Sequence, residues 1–105
     1  MTKPNWRELI GLIFEKEVHG TKYKVLFYDC YGDVECEVRK CYIDSDGITR
    51  EATIFIKYHV NKDYKNIEDL LNDIETAIKE DCTKFNEVIK IFEKFGWKLI
   101  EWKDC

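Results

Sequence analysis

The stretch Val34-Glu35-Cys36-Glu37-Val38-Arg39-Lys40-Cys41-Tyr42-Ile43-Asp44-Ser45-Asp46-Gly47 decides the fold class. Its first six residues alternate: Val34, Cys36 and Val38 point one way, and Glu35, Glu37 and Arg39 the other. That is the pattern of a strand with one face buried. The phase slips at Lys40, because Cys41 and Ile43 fall out of step, and a bulge at 39–40 would repair it. Asp44-Ser45-Asp46-Gly47 then reads as a hairpin turn, since Asp stabilises tight turns locally and Gly accepts positive φ.

Working outward, Tyr23, Val25 and Phe27 alternate with Lys24, Leu26 and Tyr28, which gives a preceding strand closed by the turn Tyr31-Gly32-Asp33. Beyond Gly47, a third strand sets Ala52, Ile54, Ile56, Tyr58 and Val60 on one face. Thr53, Phe55, Lys57 and His59 take the other. At the N-terminus, Asn5 and Glu8 have capping-box spacing, and Trp6, Leu9, Ile10, Ile13, Phe14 and Glu17 recur at three and four. The spacing predicts a helix over 5–17, leaving through His19-Gly20-Thr21. Asn66 caps a second helical region, with Asp69 in the box position and a stripe of Ile67, Leu70, Leu71, Ile74, Ala77 and Ile78. Phe85, Val88, Ile89, Phe92 and Phe95 resume that stripe. One helix over 67–95 would be about 43 Å long and would overhang a compact domain of radius of gyration ~13 Å. A break at Glu80–Thr83 is therefore expected. Gly96 is a natural C′ residue, and 97–102 reads as a last strand.

The expected architecture is a single α+β domain over residues 1–105, of order α-β-β-β-α-α-β, with a mostly antiparallel sheet and helices packed on one face. Hydrophobic residues at 45% and aromatics at 14% of 105 residues suffice for one core. Charged residues reach 36% and Pro occurs once, which is not the composition of a disordered chain. No run approaches 18 apolar residues, and the first residues lack the basic-then-apolar pattern of a signal peptide. Cytoplasmic localisation is the resulting expectation. Net charge is −4, from 17 basic and 21 acidic side chains, so direct binding to nucleic acid or anionic membrane is not expected. Fourteen Lys against three Arg, twelve Ile and two Ala suggest an A+T-rich genome, such as a low-G+C bacterium or its phage.

Cys30, Cys36, Cys41, Cys82 and Cys105 are separated by five, four, forty and twenty-two residues, which matches no zinc-ribbon or finger spacing. They read as small buried thiols, with Cys105 terminal and exposed. No metal or cofactor is expected. The order α-β-β-β-α-β is shared with a nuclease superfamily that holds magnesium on Glu/Asp-x-Lys in its third strand. Lys57 is present here, but Phe55 stands at the carboxylate position and offers no oxygen ligand. Asp44-Ser45-Asp46-Gly47 has the beginning of a calcium loop, yet Ile48 and Thr49 occupy the next ligand and glycine positions. Ser45 lacks a nucleophile elbow. A double-stranded-RNA-binding domain would need lysines where Ile67-Glu68-Asp69 begin the second helical region.

These exclusions leave a non-enzymatic protein-binding module as the leading reading. Acidic side chains are distributed in pairs, and Tyr and Trp are favoured interface anchors. Tyr31, Glu35, Glu37, Tyr42, Asp44 and Asp46 are the expected partner-binding residues. In size, charge and helix–sheet layout the chain is similar to small acidic intracellular inhibitors, namely toxin-immunity proteins and anti-CRISPR inhibitors; the similarity carries no motif. It implies a partner protein with a basic surface, a nucleic-acid-binding protein among the candidates. A homodimer is left open, through an uncovered face carrying Tyr28, Phe55 and Trp102. The alternative is a small enzyme or ligand-binding domain using His59 with nearby Asp or Cys residues.

Overall fold

The computed structural model describes residues 4–100. A 3-10 turn, Trp6–Leu9, leads into four consecutive strands: β1 (Ile13–Val18), β2 (Thr21–Cys30), β3 (Asp33–Ile43) and β4 (Thr49–Lys57). A single helical turn, α1 (Val60–Asp63), precedes the long helix α2 (Ile67–Lys94). The strands form one antiparallel sheet in the order β1-β2-β3-β4, with the helix against one face. The α+β class and the antiparallel sheet follow the sequence pattern.

Alternation in β3 does what it predicts. Val34, Cys36 and Val38 are fully buried and meet Tyr23 and Phe27 of β2 and Leu70, Ile74 and Ile78 of α2. Glu35, Glu37 and Arg39 face away from the helix. The register shift lies between Val38 and Arg39, where Val38 pairs with Phe55 and Arg39 with Thr53. The extra residue is thus Ile54 on β4, one strand away from the expected bulge at 39–40. Its insertion lets Ile54 and Phe55 both pack on the core, and it turns Ile56 outward rather than keeping it in phase with Ile54.

The expected helix over 5–17 is replaced by the 3-10 turn and β1. Gly11, at φ 87°, leaves the helical region and donates its N–H to the Phe27 carbonyl at 3.0 Å, which aims the chain along β2. His19 and Gly20, both at positive φ, then form a two-residue hairpin turn, so Ile13–Val18 pairs with β2. Trp6 still reaches the core.

Asn66 caps α2 as its sequence implies, its Oδ1 accepting from the Asp69 amide at 2.9 Å. The break expected at Glu80–Thr83 does not occur. Asp81 instead anchors the helix, accepting from Tyr23 Oη at 2.8 Å and Lys40 Nζ at 3.1 Å. Thr83 bonds back to the Lys79 carbonyl at 2.9 Å and stays inside the helical ladder. An unbroken helix therefore overhangs the sheet. The molecule measures 51 × 26 × 20 Å, with a radius of gyration of 16.3 Å. Gly96, at φ 88°, ends the helix as expected: Trp97 N–H donates to the Phe92 carbonyl at 3.0 Å in Schellman fashion. Residues 97–100 form no strand, because the helix has carried them well past the sheet. Trp102 and Cys105 lie outside the described residues.

Candidate functional site

The six residues expected to contact a partner are spread along the whole of β3. Tyr31 sits in the turn before it, Glu35 and Glu37 on its helix-free face, and Tyr42, Asp44 and Asp46 at or beyond its far end. Eleven residues of strand span about 33 Å, so Tyr31 and Asp44 occupy opposite ends of the sheet.

The chain's own cations engage several of these acids. Glu37 pairs with Arg39 and accepts from Thr53 Oγ1 at 3.2 Å. Arg39 also reaches Glu51 at 3.5 Å and donates to Tyr28 Oη at 3.0 Å, and Lys24 meets Glu51 at 3.2 Å. Asp44 organises its loop, accepting from the Asp46 and Ile48 amides at 2.9 and 3.0 Å and from Arg50 Nε at 2.5 Å. The Arg50 bond, with those amide bonds, holds the Asp44 carboxyl below the usual carboxylate range. The helix-free face is a charge-paired lattice.

A denser arrangement forms around Tyr31. Tyr31 and Gly32 are the central pair of the β2–β3 hairpin, at φ 50° and 88°. Both being positive, the turn is of the type I′ class that matches strand twist. The Tyr31 side chain is fully exposed. Arg7 braces the turn from the N-terminal segment, donating to the Gly32 carbonyl at 2.7 Å and standing 3.6 Å from Asp29.

Asp33 braces it from the other side. Its carboxylate receives Asn61 Nδ2 at 3.1 Å, and lies 3.0 Å from His59 Nδ1 and 3.2 Å from Lys62 Nζ. Asn61 and Lys62 hold the Asp33 carboxyl below its ordinary range. Asn61 also accepts the Val34 amide at 3.0 Å, stapling α1 to β3. The result is a braced tip with Tyr31 exposed, Arg7 held against Asp29 and Gly32, and His59 and Lys62 held against Asp33. The sequence marked Tyr31 and His59, but nothing in the spacing placed Arg7, Asn61 and Lys62 beside them.

Asp33 orients the His59 imidazole, yet shares its charge with Lys62 and Asn61. Two grooves flank α2, and neither includes His59. One, of about 280 Å³, is lined by Thr53, Ile54, Ala77, Glu80, Asp81 and Lys84. The other, of about 680 Å³, runs between the β1–β2 turn and Ile78, Cys82, Thr83 and Asn86. Cys36 and Cys41 are buried, and burial pushes the Cys36 thiol up to about 12. It stays protonated and acts as apolar filling. Cys30 and Cys82 are half-buried. Among the described residues, no three His, Cys, Asp or Glu side chains are placed to hold a metal ion. Among those residues, no helix is long and apolar enough to cross a membrane.

No known protein family, curated protein or solved structure matches this chain.

Proposed function

We propose that this protein is a protein-binding module that engages its partner through the Tyr31 tip. The observation that carries the proposal is a fully exposed tyrosine held at φ 50°, a region usually filled by Gly, Asn or Asp. Left-handed backbone costs an ordinary residue roughly 1 kcal/mol or more. Asn-Gly would close this turn at lower cost. Strain retained under an exposed, interface-prone side chain points to contact. The narrower form of the proposal is inhibition of a basic partner protein; it rests on the net charge of −4 over the whole chain, with Arg7 and Lys62 at the tip paired to Asp29 and Asp33.

The test compares the wild-type chain with Tyr31→Asn as bait in lysate of the source cell, at low and moderate salt. The expected variant is folded, more stable by about 0.5–1 kcal/mol, and depleted of the wild-type's stoichiometric partner. Equal capture by both baits would refute the tip. A partner insensitive to salt would refute the basic-surface form. A second reading, a ligand site at His59, is favoured by its 3.0 Å contact with Asp33. It expects His59→Ala to abolish small-molecule binding while Tyr31→Asn leaves it intact.

A further inference from the structure

We propose that the overhanging half of α2 pairs antiparallel with the same segment of a second copy of this chain. Sheet packing ends near Cys82, and the helix continues to Lys94. Its apolar residues there are Phe85, Val88, Ile89, Ile91, Phe92 and Phe95. The spacing between them is 3, 1, 2, 1, 3, a palindrome about Lys90. A two-fold axis at the level of Lys90 therefore sets 85 against 95, 88 against 92 and 89 against 91. Every apolar side chain meets an apolar one, which is the self-complementarity an isologous contact requires. At 3.6 residues per turn, Lys90 itself points away from this face.

The dimensions agree. From Thr83 to Phe95 the overhang is about 18 Å, and the mutual overlap of 85–95 takes about 15 Å of it. The distal stripe continues the face that Leu70, Ile74 and Ile78 turn to the sheet, so the partner's helix lies where the sheet has stopped. Residues 82–86 of one copy then stand beside the end of the other copy's helix, where Gly96 turns the chain off the axis. Cys82, Thr83, Lys84 and Asn86 line the two grooves beside α2, which gives the second copy's Trp97 a place to enter.

The area is sufficient. Phe92, Phe95 and Trp97 are 57%, 77% and 68% exposed. At about 200 Å² for a fully exposed ring, they leave roughly 400 Å² of aromatic surface per copy. Val88 and Ile91, about half exposed, with half-buried Phe85 and Ile89, bring the two-copy total to about the 1,200 Å² at which specific interfaces begin.

Sedimentation equilibrium on the full chain tests this, with lysine cross-linking of an equal mixture of light- and heavy-nitrogen protein. The expected result is a dimer whose inter-copy cross-links join Lys84 to Lys94 or Lys98. Phe92→Glu, and independently Phe95→Glu, become monomeric with unchanged circular dichroism. Lys90→Glu, on the opposite face, stays dimeric. A wild-type monomer would overturn the proposal, as would a dimer that survives both Phe variants. Inter-copy links joining Lys84 to Lys84, with none from Lys84 to Lys94 or Lys98, would show a parallel pair and refute the geometry.

Discussion

Tyr23→Phe isolates the clamp that keeps α2 on the sheet. Tyr23 is only 2% exposed, and its hydroxyl donates to Asp81 at 2.8 Å with Cys82 Sγ 3.5 Å away. Phenylalanine keeps the ring, so no cavity opens and the loss is confined to one hydrogen bond. A bond to a charged acceptor is worth about 1.5–3 kcal/mol. Asp81 retains Lys40 at 3.1 Å and some solvent, which places the expected loss at the lower end, about 1.5 kcal/mol. In a domain of this size that lowers Tm by roughly 6–12 °C. Urea titration followed by circular dichroism should show the same loss at unchanged m.

The pH dependence gives a second signature. Burial, then hydrogen bonds to Cys82 and Asp81, raises the Tyr23 phenol above its ordinary value of 10.0. Below pH 10 the phenol is neutral in both folded and unfolded chains, and its contribution is fully present. Above pH 10 the unfolded chain ionises first, so that contribution is lost as pH rises towards the folded value. Tyr64, raised by burial and by Asp73, adds a parallel loss common to both proteins. The wild type's advantage over Tyr23→Phe should therefore shrink above pH 10. A Tm difference below roughly 2 °C at neutral pH, or one that stays constant through the alkaline range, would refute the clamp.

Two further outcomes follow from local geometry. Asn66→Ala removes the acceptor of the Asp69 amide and should destabilise by about 1 kcal/mol; chemical denaturation measures it, and a change within error would show that another group caps the helix. Iodoacetamide under native conditions should modify half-buried Cys30 and Cys82 well before buried Cys36 and Cys41. Peptide mass mapping checks the order, and early labelling of Cys36 would contradict its raised pKa.

The legible parts of the fold were those set by short-range chemistry. Alternation in β3, the Asn66 cap, the Asp44 loop and the Gly96 terminus all depend on residues within a few positions of one another. The unread parts depend on distant partners. Ile13–Val18 shows both helical and extended spacing, and the choice falls to Gly11 bonding with Phe27 and to the His19-Gly20 turn. The continuous helix was hidden for a similar reason, since Asp81 meets Tyr23 and Lys40 only in three dimensions. At the candidate site Tyr31 was visible as an aromatic in a turn. Its bracing was not, because Arg7, Asn61 and Lys62 come from elements 25 to 29 residues away in the bonded pairs.

The consecutive strand order also sets a timetable for folding. Each strand pairs with its sequence neighbour across loops of two, two and five residues, so the sheet can close from local contacts alone. The helix joins it across far longer separations, 59 residues for Lys16–Glu75 and 58 for Tyr23–Asp81. On a ribosome moving at ~5–20 residues per second, Ile78 emerges roughly one to four seconds after Lys57. Through that interval Phe27, Val38 and Phe55 have no cover. Glu15, Lys16 and Glu17 on β1, and Arg50, Glu51 and Lys57 on β4, line the two outer edges. Charges there oppose edge-to-edge pairing with another nascent sheet while the helix is still being made.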